Sequence, residues 1–270
     1  MKQQIDHAGL FTPQASKIAL SCGLFGLSLL YGPITGLVIL SFSVQPLSGI
    51  PWPLTIRWYQ ALADKHEWIQ PLVTSTGVGL IVALFSTVSA LLIGRTIVVL
   101  RKPMGMLAIY LGIMIVPGIL IGISILMFYR VLLGIPTGVW SIILAHYIWS
   151  LPFALICILI VSYRFDRRLV EAAEDLGASR WRRFVDIEIP LLMPGISASL
   201  FFSFLLSFNE LPRTLYTRGS IVTLPYYIWT ASASHGPQAA LVYALSSLLA
   251  LASLGVTIVA TRTLSRAYGR

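Results

Sequence analysis

The 270-residue sequence is 57% hydrophobic and only 11% charged, against about 25% charged in typical soluble domains. Its apolar residues come in long runs instead of at amphipathic spacing, which excludes one large soluble domain or two small ones. The net charge of +9 is unevenly placed along the chain, and that placement decides its meaning.

A helix rises about 1.5 Å per residue, so roughly 20 apolar residues cross a hydrocarbon core of about 30 Å. After a polar segment, residues 1–17, the first run of that length is Ile18–Phe42. It is too long for a signal-peptide core and no small-residue cleavage site follows it, so it reads as a retained helix. Leu72–Ile93, Met104–Met127 and Val139–Val161 come next. Pro117 and Pro152 remove backbone hydrogen bonds and predict kinks in the third and fourth helices. His146 reads as a hydrogen-bonded packing residue, because its helix carries no second histidine or carboxylate. Leu191–Phe208 is the shortest run and holds Ser199, Ser203 and Ser207; Ala239–Thr261 is the last. Cys22 and Cys157 fall within these helices as small apolar residues, suggesting neither a disulfide framework nor a metal site. The ten-residue alternation of a membrane barrel is missing. The expected fold is an all-α polytopic membrane protein of six transmembrane helices, with a six-helix membrane domain over 18–261 and a short tail, 262–270.

Basic residues sit in alternate loops. Fourteen fall on one side: Lys2, Lys17, Arg95, Arg101, Lys102, Arg164, Arg167, Arg168, Arg180, Arg182, Arg183, Arg262, Arg266 and Arg270. Five fall on the other: Arg57, Lys65, Arg130, Arg213 and Arg218. By the positive-inside rule both termini are then cytoplasmic, and residues 43–71, 133–138 and 209–238 lie outside. The basic charge is a topology signal and asks for a lipid bilayer, with no nucleic-acid partner.

The loop 163–190 is different. Linkers between helices take about 2–8 residues, whereas this one has 28, with six arginines and six acids. Asp166 is a good N-cap and Gly177 supplies a left-handed helix end. Between them Leu169, Ala172, Ala173 and Leu176 form one apolar face at helical spacing. Ser179 caps a second helix, expected to stop before Pro190. In the first helix Arg167 and Arg168 precede Glu171, Glu174 and Asp175, the wrong order for the helix dipole. A cationic partner surface, or Arg180, Arg182 and Arg183 nearby, accounts for that order.

Glu171-Ala172-Ala173, then Gly177, Ile187 and Ile189-Pro190, resembles the EAA loop of type I ABC importer permeases, with Ile189 in place of the usual leucine. Leu191-Leu192-Met193-Pro194-Gly195 resembles the helix that follows it. The resemblance implies a cytoplasmic coupling helix between membrane helices 4 and 5. It would dock on an ATP-binding subunit through Glu171, Ala172, Ala173, Leu176 and Gly177, with Arg180, Ile187 and Pro190 in support. It also implies two ATP-binding subunits, a second permease (a heterodimer in preference to a homodimer) and a periplasmic substrate-binding protein, in a bacterial inner membrane. ATP and Mg²⁺ would belong to the partner. The chain's four lysines stand in no phosphate-binding P-loop context, so this subunit reads as a non-catalytic part of an ATP-driven translocase, with no cofactor of its own.

Leu54–Leu62 and the overall length resemble the smaller spermidine/putrescine permease. Polyamine permeases carry two adjacent acids at the exit of helix 5, where this chain has Asn209 and Glu210. Glu210 therefore has two readings: a carboxylate that attracts a cationic substrate into the pathway, or a solvated helix-end charge paired with Arg213. An anionic or zwitterionic substrate stays open. Trp52, Trp58, Tyr59, Trp68, Tyr226, Tyr227 and Trp229 read mainly as interfacial anchors. An ion-gradient-driven secondary transporter is the alternative, but inverted repeats and acids inside the helices, its usual signs, are missing. A membrane enzyme lacks any metal-spaced or nucleophile–base cluster.

Overall fold

The computed structural model describes residues 13–100, 103–166, 168–234 and 236–268. Lys2, Arg101, Lys102, Arg167 and Arg270, used above for topology, and most of the N-terminal segment lie outside those residues. Twelve α-helices occur in the described residues. In chain order they are α1 (Pro13–Ser41), α2 (Arg57–Asp64), α3 (Ile69–Val99), α4 (Pro103–Gly112), α5 (Gly118–Met127), α6 (Val139–Ser162) and α7 (Arg168–Asp175). There follow α8 (Arg180–Arg183), α9 (Ile189–Phe208), α10 (Thr214–Thr217), α11 (Leu224–Ala233) and α12 (Pro237–Tyr268). Five helical stretches are long and apolar enough to cross a membrane, or six when α4 and α5 count as one broken span. The protein is all-helical and polytopic, as its apolar runs predict.

Two sequence expectations need correction. The third span bends at Pro117 as expected, but it is two helices and not one kinked helix: its halves meet at 96°. Pro117 removes a donor and pushes its predecessor out of the helical region, and Val116 is accordingly extended (ψ 126°). The second helix of the loop does not stop before Pro190. It runs unbroken from Arg180 to Phe208, because a π-helical turn over Phe184–Glu188 re-spaces the backbone just ahead of the proline. Pro190 follows directly on that turn, where the Ile189 N–H already reaches back five residues to the Phe184 carbonyl, so the proline without an N–H sits where the regular i−4 ladder is already interrupted.

The chain divides into two units, one of Met1–Lys65 with Ala231–Ala260 and one of His66–Thr230 with Thr261–Arg270. In the first, the Tyr59 hydroxyl is shared between Ser41 (2.6 Å) and Ser247 (2.7 Å), tying α2 to α1 and α12. The Trp58 indole donates to the Ser43 carbonyl at 2.8 Å.

The second unit is a bundle around α3, α6 and α9. Ala90, Ile97, Leu151, Ala154, Leu155 and Ile158 fill its core. Lipid tails are as apolar as leucine, so small residues and hydroxyl pairs do much of the joining between membrane helices. Gly195, Ser199, Ser203 and Ser207 recur every four residues and are all buried on one face of α9. Ser199 bonds Thr87 of α3 at 2.9 Å, Ser207 bonds His146 of α6 at 2.8 Å, and Ser86 bonds Ser150 at 2.6 Å. The serines that weaken the fifth apolar run are its packing face.

Candidate functional site

The loop between α6 and α9 is built from local chemistry. The Asp166 carboxylate accepts from the Arg168 N–H (3.0 Å) and opens α7. Gly177 closes it at φ +80°. Its N–H reaches the Glu174 carbonyl (2.8 Å) and the Ala178 N–H reaches that of Ala173 (2.9 Å), a two-bond left-handed cap. Ser179 accepts from the Arg182 N–H at 3.3 Å and starts the long helix Arg180–Phe208.

The apolar face of α7 points outward. Leu176 is 88% exposed and Leu169 49%, with Ala172 exposed and Ala173 partly covered. Trp181 adds a ring that is 72% exposed. Glu171, Gly177 and Arg180 are exposed too, whereas Ile187 is partly buried and Pro190 exposed. Glu174, misplaced for the helix dipole, forms an ion pair with Arg183.

Behind α7 the loop is held to the bundle by Arg95, at the end of α3. Its guanidinium grips Glu188 twice (Nε–Oε2 2.6 Å, Nη2–Oε1 2.9 Å) and lies 4.5 Å over the Phe184 ring. Arg95 is 39% exposed, so the pair adds little stability; its effect is to fix the angle at which the π-turn meets α3. A cavity of about 570 Å³ separates α7 from the bundle, with Leu92, Arg95, Ser162, Glu171, Glu188 and Leu192 among its walls. Arg95 and Glu188 stand 93 residues apart, and no local pattern in the sequence joins them.

Past the other end of α9 lies a buried polar cluster. Glu210 Oε1 accepts from Arg213 Nη1 (2.9 Å) and from the Arg213 backbone N–H (3.1 Å). The two residues are 6% and 4% exposed. The guanidinium lies 4.1 Å over the Trp149 ring. It also fits against α5 where a Cβ on Gly118 would come within 2.8 Å of it. His146 bonds Ser207 and Thr214, each at 2.8 Å. Of the two readings of Glu210, the structure displays the pairing with Arg213, buried instead of solvated. Asn209 is exposed and its amide caps the Leu205 carbonyl at 2.9 Å.

Residues 76–266 match the family described as binding-protein-dependent transport system inner membrane component. The chain belongs to that family. The permease is 34% identical, over 88% of its length and 89% of the relative's, to the spermidine/putrescine transport system permease protein PotC of Escherichia coli (strain K12). It is 31% identical to the PotC of Haemophilus influenzae, covering 74% and 79% of the two chains. Against the putrescine transport system permease protein PotI of Escherichia coli (strain K12) the identity is 27%, covering 77% of each. The permease is thus a multi-pass inner-membrane component of an ABC transport system. Members of this family are non-catalytic, with the ATPase in partner chains.

Proposed function

We propose that this permease forms half of the translocation pathway for a small polyamine-type cation. A periplasmic binding protein would deliver that cation, and two ATP-binding subunits would drive its passage by alternating access. The observation that carries the substrate class is the 34% identity to a spermidine/putrescine permease across nearly the whole of both chains. A second, non-identical permease completes the pathway, and ATP and Mg²⁺ act in the partner subunits. Both termini and α7 face the cytoplasm in this reading.

The exposed face of α7 supports its role as the coupling element. An aliphatic side chain 88% in water gains from burial in a partner cleft, at about 25 cal/mol per Å². Glu171 supplies a polar contact beside it, and Gly177 turns the chain sharply away. Arg180, Ile187 and Pro190 continue into one rigid helix that reaches the bundle interior, so a push on α7 meets a lever and not a hinge. Glu210 and Asn209 mark the far end of that lever, with Glu210 already bonded to Arg213.

The test is uptake of labelled putrescine and spermidine by cells carrying the complete transport system with or without this permease. Uptake that depends on the chain and on ATP supports the proposal. Chain-dependent uptake that persists in a Glu171→Ala, Gly177→Pro double variant sinks the coupling role. Dependence on an anion or zwitterion instead sinks the polyamine assignment alone.

A further inference from the structure

Glu67 lies outside the predicted second span, in the loop before it. In the structure it stands on a single 3₁₀ turn, His66–Trp68, that leads directly into α3. At this end of α3, remote from α7, a cavity of about 630 Å³ opens. Its walls are that turn, α3, the first residue of α6 and the segment 220–227. Gln70, Thr74, Gly77 and Ile81 follow one another at three- and four-residue steps, which places them on one stripe of α3, and Glu67 stands one such step before it. Ser220 and Tyr227 face them with Val222. Among the described residues that line it, Glu67 is the only charged one.

The facing wall is held in place by three contacts. Ser141 donates to the Thr217 carbonyl (2.7 Å), and Ser75 accepts from the Leu224 N–H (2.8 Å). Between them Gly219, at φ +58°, passes so close to Thr137 that a Cβ there would lie 2.2 Å from its carbonyl oxygen. The cavity is therefore preformed and does not depend on a loose loop. Arg218 is bonded to the Ile221 carbonyl (3.0 Å) and to the Tyr226 hydroxyl (2.7 Å), and does not line it. The Tyr227 hydroxyl is pushed up from its ordinary pKa by burial, and further by the Glu67 carboxylate, so it stays a neutral donor and acceptor.

We propose that this cavity is a binding station for an alkyl diamine or longer polyamine, in which Glu67 takes one ammonium group. Ligand sites are mostly apolar clefts of about 300–1,000 Å³ with a few placed polar groups. Here the hydroxyls of Thr74, Ser220 and Tyr227 and the Gln70 amide are such groups, and Val73, Val222 and Ile81 suit a methylene chain. Alternating charge and hydrocarbon is the chemistry of a polyamine. An anion would meet a lone carboxylate and no cation. The inference rests on the polyamine reading above and adds a residue and a place to it.

The experiment compares wild type with Glu67→Gln in the complete transporter, measuring uptake of putrescine, spermidine and 4-amino-1-butanol, alongside complex yield and ATPase rate. Glu67 is exposed, so glutamine leaves no hole and no unpaired buried group. A lost charge-assisted hydrogen bond raises the KM for putrescine about tenfold, with yield unchanged and with the preference for the diamine over the amino alcohol narrowed. Glu67→Asp recovers most of the affinity, and Tyr227→Phe gives a smaller rise. A wild type that carries neither polyamine overturns the reading on which the station rests. A wild type that carries them, with Glu67→Gln within twofold in KM and selectivity, overturns the station alone. A fall in yield or ATPase rate without a change in selectivity also overturns it.

Discussion

Glu210→Gln isolates one physical quantity. Glutamine keeps an oxygen where Glu210 Oε1 accepts from the Arg213 side chain (2.9 Å) and backbone (3.1 Å). What disappears is the negative charge. Arg213 is only 4% exposed and its Nε already lacks a hydrogen-bond partner, so water cannot replace that charge. Breaking a buried pair costs about 3–5 kcal/mol, whereas replacing both partners by apolar groups is often neutral. The Trp149 ring 4.1 Å away still contributes up to about 2 kcal/mol to a desolvated cation. The single variant therefore belongs at the low end, about 3 kcal/mol less stable. Arg213→Met keeps a long side chain in the space beside Gly118 and Gly122 and removes the charge. The double variant Glu210→Gln, Arg213→Met should recover most of the loss, with a coupling of at least about 1–2 kcal/mol in the double-mutant cycle. Thermal unfolding of the detergent-solubilised transporter, read for all four proteins, measures it. A Glu210→Gln protein as stable as its parent, or strictly additive losses, would refute the reasoning.

Two glycine replacements separate conformational strain from collision. Gly177→Ala meets nothing within 4 Å but keeps φ +80°, so it costs about 1–2 kcal/mol and frays the end of α7. Gly219→Ala adds a 2.2 Å approach to the Thr137 carbonyl, so its melting temperature should fall clearly further than that of Gly177→Ala. Leu176→Asp, at a side chain 88% exposed, should leave the isolated permease as stable as before while transport and retention of the ATPase on co-purification fall at least tenfold. Arg95→Met frees Glu188 and Phe184 at a half-exposed position, at a cost in stability under about 1 kcal/mol. Its signature should be ATPase activity that no longer responds to substrate, measured in liposomes.

How much was legible in the sequence follows from how far apart the deciding residues are. The α7 loop could be read closely because its determinants are neighbours: Asp166 caps Arg168, Gly177 turns back on Glu174, and Ser179 caps Arg182. The spans could be read because run length alone sets them. Pro117 signals a break but carries no angle, since 96° depends on what packs against each half. Pro190 misleads for the converse reason: a proline rule marks a helix end, and a π-turn five residues long absorbs the fault. Glu210 could be read two ways because its partner Arg213 packs against Gly118 and Gly122, some 90 residues earlier in the chain.

Glu67 escaped notice for a different reason, and α3 shows why it matters. A span drawn by hydropathy begins at the first sustained apolar residue, here Leu72, and so discards the polar turn that the helix uses to start. Restored to full length, α3 is a rod of 31 residues, about 46 Å long. At one end it forms the wall of the cavity that Glu67 guards; at the other, Arg95 holds Glu188 beside α7. An α-helix is stiff along its axis, and α3 packs closely along its length, with Ser86 and Thr87 bonded to α6 and α9 midway. A shift of the π-turn against Arg95 is therefore borne by the same element that shapes the far cavity. That contiguity puts both sites on one stiff element. It makes α3 the element on which a change at the α7 end and a change in affinity at Glu67 must be compared in the same transporter.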